Sequence, residues 1–97
     1  MQPRDVVIVS ACRTAIGKFQ GVSARELAIT AGKEAIRRAG IDINTIDEIV
    51  MGECYTAMQG SLPARQVSMR IGLPIESSAV TVNQNCASGM RALEIAC

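Results

Sequence analysis

The sequence predicts an α/β fold with a mainly parallel sheet. Short apolar or β-branched runs of strand length alternate with longer segments in which apolar residues recur at helical spacing. The order along the chain is strand, helix, strand, helix, strand, helix, which is typical of βαβ units with right-handed crossovers. Because a chain of 97 residues forms one domain at most, we expect residues 1–97 to belong to a single domain.

The first strand and the first helix are predicted from local signals. Val6–Val9 is an unbroken β-branched run, which is typical of a strand buried on both faces. The helix is predicted from about Ala24 to Ala39. Ser23 and Glu26 form a capping box at its start, and Gly40 supplies a left-handed stop at its end.

The second half of the chain continues the alternation. A second strand is predicted at Glu48–Gly52, followed by a loop over residues 53–61 and by a helix beginning at Pro63. A third strand is predicted at Ala79–Val82. The last segment, Cys86–Cys97, is rich in small residues and predicts a helix that other elements approach closely. It contains no stop signal, so we expect the chain to end inside this helix.

The composition argues against several classes of function. Ten Lys and Arg against nine Asp and Glu leave a net charge of +1, and no basic block suggests a nucleic-acid surface. The apolar runs are far shorter than the ~20 residues needed to cross a bilayer, and the N-terminus lacks a signal-peptide pattern. We therefore expect a cytoplasmic protein without nucleic-acid or membrane partners.

The chain contains four cysteines and no histidine. Cys12, Cys54, Cys86 and Cys97 show no CxxC spacing, so we expect no metal site. Because the chain lacks an export signal, we expect free thiols rather than a disulfide framework. At least one of these thiols is a candidate for reactivity.

Cys86 is the candidate nucleophile. It follows the third predicted strand and a polar elbow, Asn83–Asn85, and is expected to begin the last helix. The positive end of a helix dipole and unpaired backbone N–H groups stabilise a thiolate at such a place. The small residues Ala87–Gly89 allow a substrate to approach. The alternative, from position alone, is a buried structural thiol, because free cysteine is among the most buried residue types.

Three runs of residues resemble the thiolase family. Val82–Leu93 resembles its nucleophile motif, in which Asn, two variable positions, Cys, a small residue, Ser and Gly lead into a helix. Val7–Phe19 resembles the family's opening strand and loop, and Pro63–Gln66 resembles its second helix. The three runs occur in the family's order and cover nearly the whole chain.

The resemblance implies the N-terminal part of a thiolase-like layered α/β/α domain, truncated within the nucleophile helix. Cys86 would take an acyl group from acyl-CoA and pass it to the enolate of acetyl-CoA, and the reverse reaction would be thiolysis of a 3-ketoacyl-CoA. Coenzyme A thioesters would be substrates, and no bound cofactor is implied. The family's histidine and second cysteine lie in its C-terminal half. We therefore expect the isolated chain to be inactive, to require the missing C-terminal half as a partner, and to form a homo-oligomer.

Two other functions remain open from the sequence. The first is a non-catalytic small α/β interaction module that binds a partner through surfaces a full thiolase would cover. The second is a ketoacyl synthase, although such enzymes usually have Ala directly before the nucleophile, where this chain has Asn85.

The remaining polar and thiol candidates have structural interpretations. Cys12 is predicted to fill the core, whereas Cys54 lies in a loop and carries no pattern. Three arginines are predicted to be structural or solvated rather than ligands of coenzyme phosphates: Arg13, Arg65 and Arg91. Three departures from the family pattern leave chain-length preference and subunit packing open. Leu62 cannot cap the second helix with its side chain, Met58 is bulkier than the usual glycine, and Asn85 replaces a usually apolar residue.

Overall fold

A computed structural model describes residues 4–55, 60 and 62–97. Its elements in chain order are helix α1 (Ala24–Ala39), a 3-10 turn (Ile43–Thr45), strand β1 (Glu48–Gly52), helix α2 (Pro63–Ile71), strand β2 (Ser78–Val82) and helix α3 (Ser88–Ala96). The α/β class is therefore confirmed. The part of the predicted 53–61 loop that covers residues 56–59 and 61 lies outside the described residues.

Both ends of α1 are formed by the residues that the sequence indicated. The Ser23 hydroxyl accepts the Glu26 N–H at 3.1 Å, and Gly40 adopts the left-handed conformation with φ 68°. The Gly40 N–H donates to the carbonyl groups of Ile36 and Arg37. The predicted bounds of this helix are confirmed. Among the residues described, no helix is both long and apolar enough to span a bilayer.

The sheet of the described residues consists of β1 and β2 in parallel. The pairing runs in register from Glu48 opposite Ser78 to Gly52 opposite Val82. One further bond continues the ladder, from the Glu53 N–H to the Val82 carbonyl at 3.0 Å. The crossover between the strands passes through α2, so the predicted βαβ unit is confirmed. The β1 bounds agree with the prediction, and β2 begins one residue earlier than predicted.

The first predicted strand is wrong for the described chain. Residues 6–9 form no strand, and the exposed fractions of their side chains lie between 53% for Val7 and 76% for Ile8. A β-branched run favours extended backbone, but strand formation also needs a hydrogen-bonding neighbour and cover on both faces. The two strands of the described sheet pair with each other and not with this segment.

The start of α2 is capped by a side chain from β2. Leu62 precedes the helix with φ 45° and makes no capping hydrogen bond, as its side chain predicts. The Thr81 hydroxyl instead accepts the Ala64 N–H at 3.0 Å. Ala64, Val67 and Ser68 form the inner face of the helix and are almost completely buried. Strand β2 therefore supplies an acceptor for the first turn of α2, the helix that precedes it in the chain.

Helices α2 and α3 lie on opposite faces of the sheet. The Thr81 hydroxyl points to α2, and Thr81 pairs with Met51. The next residue of β1, Gly52, faces α3, because side chains alternate along a strand. On the outer side of α2, Gly32 of α1 approaches so closely that an added Cβ would lie 2.5 Å from the Ile71 Cδ1. The order of layers is α1, α2, sheet, α3.

We predict that Thr81→Val destabilises the protein by about 1–3 kcal/mol, because it leaves the buried Ala64 N–H without an acceptor while keeping the shape of the side chain. Urea unfolding followed by circular dichroism measures the change. Thr81→Ser is the matched control, since it retains the hydroxyl. Equal stability of Thr81→Val and the unaltered protein would show that this cap contributes nothing.

Candidate functional site

Cys86 lies in a five-residue loop, residues 83–87, that joins β2 to α3. Its side chain is exposed, so the buried structural alternative is not what this structure shows. The expectation that Cys86 begins the helix is wrong by two residues, because α3 begins at Ser88. Two tight turns precede the helix, with the Ala87 N–H donating to the Gln84 carbonyl at 3.1 Å and the Ser88 N–H donating to the Asn85 carbonyl at 3.2 Å.

The left-handed conformation of Asn85 explains the later start of the helix. Its φ is 51°, outside the right-handed helical region, so a helix cannot run continuously through this position. Asparagine adopts this conformation more readily than other residues with a side chain. Asparagine at position 85, where the family usually has an apolar residue, therefore suits the left-handed backbone that reverses the chain immediately before Cys86.

Ser88 closes the loop around Cys86. Its side chain is 4% exposed, and its hydroxyl accepts the Gln84 N–H at 2.9 Å and donates to the Asn85 carbonyl at 2.7 Å. A single buried hydroxyl thus holds backbone groups on both sides of the left-handed residue. The sequence indicated only that Ser88 is small, and the serine of the nucleophile motif was the available signal for this role.

A second side chain joins this loop to the end of β1. The Asn83 Oδ1 accepts the Asn85 N–H at 3.0 Å, and its Nδ2 donates to the Cys54 carbonyl at 3.1 Å. Only one orientation of the amide satisfies both bonds, because the carbonyl oxygen must accept and the nitrogen must donate. The loop that carries Cys86 is therefore attached to residues that follow β1.

Gly52 lets the end of β1 touch the first turn of α3. An added Cβ at Gly52 would lie 2.5 Å from the backbone carbon and oxygen of Ser88 and 2.7 Å from the Gly89 nitrogen. No side chain fits at such distances, and backbone atoms cannot move aside as a flexible side chain can. This contact fixes where α3 begins relative to the sheet.

Apart from Cys54, whose carbonyl Asn83 binds, the other candidates are engaged elsewhere or exposed to solvent. Arg65 is structural, because its guanidinium donates to the carbonyl groups of Ser77 at 2.8 Å and Ile75 at 3.0 Å. Arg91 forms an ion pair with Glu94 on α3, and Arg13 is exposed. Cys12 is half-buried, and its thiol donates to the Ala31 carbonyl of α1 at 2.9 Å. Cys54 and Cys97 are exposed.

A groove of about 220 Å³ lies beside the loop on the surface of α3. It is lined by Gln84, Ala87, Met90, Arg91 and Glu94. Gln84 and Ala87 flank Cys86 in the sequence, so the groove borders the segment that presents the thiol. Within residues 4–55, 60 and 62–97, no group of three or more His, Cys, Asp or Glu side chains is arranged to hold a metal ion.

The fold and the loop define an α/β domain that exposes a cysteine between a parallel strand and the start of a helix. A family model described as the N-terminal domain of thiolase matches residues 6–97. The chain belongs to the thiolase family.

The relatives and solved structures agree with this assignment. The chain is 50% identical over 92 residues to an acetyl-CoA acetyltransferase of Clostridioides difficile, a match that covers 91% of this chain and 86% of that one. It is 45% identical over 96 residues to the acetyl-CoA acetyltransferase of Cupriavidus necator, covering 95% of this chain and 24% of that one. The chain therefore spans about a quarter of the length of the Cupriavidus relative and most of the length of the Clostridioides relative.

Two solved structures share the fold at high similarity. The acetyl-CoA acetyltransferase from Syntrophomonas wolfei matches with a TM-score of 0.90 and 52% identity, over 94% of this chain and 24% of that one. A thiolase from Ascaris suum, solved in complex with coenzyme A, matches with a TM-score of 0.87 and 36% identity, over 92% of this chain and 24% of that one. The predicted resemblance to the N-terminal part of a thiolase is confirmed.

We predict that Gly52→Ala destabilises the protein by about 1–3 kcal/mol, because the new methyl group overlaps the backbone of Ser88 and Gly89. Gly89→Ala is the matched control. Nothing lies within 4 Å of an added Cβ there, so this change should leave stability equal or raise it by up to about 1 kcal/mol. Urea unfolding of both variants decides the point. A Gly52→Ala variant as stable as the unaltered protein would contradict the close contact.

Proposed function

We propose that this chain is part of an acetyl-CoA C-acyltransferase and that Cys86 carries the acyl group. The Cys86 thiolate would attack the carbonyl carbon of an acyl-CoA, and the bond between that carbon and the coenzyme A sulfur would break. Coenzyme A leaves as a thiolate, which takes up the proton that the Cys86 thiol released, and the acyl group remains on Cys86 as a thioester. An acetyl-CoA enolate would then attack this thioester and release Cys86 and a 3-ketoacyl-CoA. Thiolysis is the same sequence in reverse.

The exposed thiol at the start of α3 is the observation that carries this proposal. Of the four thiols, Cys86 is the one in the nucleophile motif, and it lies within two residues of the positive end of a helix. The residues after it are small, and there is open space at Gly89. Thioester substrates are supported by the names of the relatives, which are acetyl-CoA acetyltransferases, and by the coenzyme A complex of the Ascaris thiolase.

We further propose that the rest of the catalytic machinery belongs to polypeptide outside this chain. The sequence contains no histidine to act as a base. Cys97 follows the last residue of α3, eleven residues from Cys86. The nine residues of α3, which span ~14 Å at ~1.5 Å per residue, lie between the two thiols and keep them too far apart to act on one substrate. With no histidine, and with Cys97 at the far end of α3, neither of the two groups that the resemblance assigns to the family's C-terminal half is supplied by the residues after Cys86.

The exposed apolar surface supports association with further polypeptide. Met90, Leu93 and Ile95 of α3 have exposed fractions of 79%, 55% and 41%. The β-branched segment at residues 6–9 is similarly open to solvent. Exposed apolar side chains of this size are typical of surfaces that are covered in an assembly, and we propose that a C-terminal half and a second copy of the chain cover them. A cytoplasmic location is likewise proposed.

We predict that Cys86 is acetylated before the other thiols when the chain is incubated with acetyl-CoA. Peptide mapping by mass spectrometry identifies the modified thiol. Cys54→Ala is the matched control, because Cys54 is also exposed and its loss should leave the acetylated peptide unchanged. Cys86→Ala should abolish the early modification. Acetylation that begins at Cys54 or Cys97 would contradict the role of Cys86.

We also predict no thiolase turnover by the purified chain alone, for want of the base and the second thiol. The assay follows cleavage of acetoacetyl-CoA by free coenzyme A, with size-exclusion chromatography run on the same sample. Turnover that disappears in Cys86→Ala would contradict the inactivity, and a monomer at high concentration would contradict the association.

A further inference from the structure

We propose that Asn83 is a positioning residue for Cys86, which it orients through two hydrogen bonds and without contact with substrate. The inference rests on the proposed function of Cys86, because it concerns how that thiol is presented. Asn83 is the first residue after β2, and its side chain bonds both the Cys86 loop and the segment after β1.

The first bond sets the shape of the loop. The Asn83 Oδ1 accepts the Asn85 N–H at 3.0 Å, a side-chain to backbone contact two residues along the chain. Asparagine and aspartate favour such turns, which replace a backbone hydrogen bond and stabilise the reversal that follows. Here the reversal is the left-handed Asn85, with φ 51°, directly before the thiol.

The second bond sets where the loop lies. The Asn83 Nδ2 donates to the Cys54 carbonyl at 3.1 Å, a contact between residues 29 positions apart. Cys54 follows Glu53, whose N–H is bonded to the Val82 carbonyl at 3.0 Å and so continues the ladder of the sheet. The loop is therefore tied to the sheet through its neighbour strand as well as through its own strand.

Ser88 holds the opposite side of the same loop. Its hydroxyl bonds Gln84 and Asn85 from the α3 side, while Asn83 bonds Asn85 and Cys54 from the β1 side. Without Asn83, the turn would remain closed by Ser88 and packed against Gly52, but it would lose its side-chain hydrogen bond to the segment after β1. Asn83 is thus the side chain that ties the turn before Cys86 to that segment.

The side chain chemistry at this position is specific. The side chain at position 83 must accept a hydrogen bond from the Asn85 N–H and donate one to the Cys54 carbonyl. The amide of asparagine supplies both an acceptor and a donor without a charge. Serine retains an oxygen that accepts a nearby N–H more weakly, and it is too short to reach a second loop at the same time. Alanine retains neither bond.

The test is the rate of alkylation of Cys86 by iodoacetamide, divided by that of Cys97 in the same molecule. Cys97 is also exposed and follows the other end of α3, so it is the internal reference for the reagent, whereas the half-buried Cys12 reports opening of the fold. We expect the ratio to fall about three- to tenfold in Asn83→Ala, the factor that loss of an ordinary hydrogen bond produces. Asn83→Ser should restore part of the ratio. Asn44→Ala is the matched control, because Asn44 is an exposed asparagine in the 3-10 turn that precedes β1.

A ratio unchanged in Asn83→Ala overturns the inference, and so does a lower ratio accompanied by faster labelling of Cys12, which would mean that Asn83 only stabilises the fold. The failure of the proposed function is distinguishable from either result. If Cys86 is not acetylated by acetyl-CoA in the unaltered chain, the proposed function fails, while the alkylation ratio still reports whether Asn83 positions the thiol.

Discussion

The rest of the structure depends on the contact between the end of β1 and the first turn of α3 at Gly52. The backbone atoms of Ser88 and Gly89 occupy the space that any side chain at position 52 would need. Ser88 is also the residue whose buried hydroxyl closes the loop around Cys86. The location of the thiol therefore follows from a backbone contact between a strand and a helix that are far apart in the sequence.

Strand β2 has two functions in this arrangement. Its Thr81 hydroxyl completes the first turn of α2, and its end continues into the loop that presents Cys86. The connection from α2 back to β2 is held by Arg65, which bonds the carbonyl groups of Ile75 and Ser77. Because α2 and β2 fix each other, a change in the strand alters the helix on one face and the thiol-bearing loop beyond it.

The features that were predicted from the sequence are those with local causes. The bounds of α1 follow from Ser23 and Gly40, both adjacent to the helix, and those of β1 follow from the pattern of Glu48–Gly52 itself. The choice of Cys86 as the candidate depended on one contiguous motif, and the thiolase resemblance depended on three such runs in the family's order. In each case the residues that indicate the element lie within it or next to it in the sequence.

The features that were missed depend on partners that are distant in the sequence. The hydrogen bond from Ala64 to Thr81 at the start of α2 joins residues 17 positions apart, and the bond from Asn83 to Cys54 joins residues 29 positions apart. Neither bond can be recognised from a short stretch of sequence. The strand predicted at Val6–Val9 failed for a related reason, since its residues have the right propensity but no neighbour in the described sheet. The start of α3 was placed too early because the left-handed backbone of Asn85 is not required by its residue type.

The most direct test of the central claim is a competition among the four thiols for limiting iodoacetamide at neutral pH, followed by peptide mapping. Cys54, Cys86 and Cys97 are all exposed, so exposure alone predicts similar labelling of these three. If the strand-to-helix loop makes Cys86 the nucleophile, its peptide is labelled first and the others later. Labelling of Cys54 or Cys97 ahead of Cys86 in the folded protein would contradict this account.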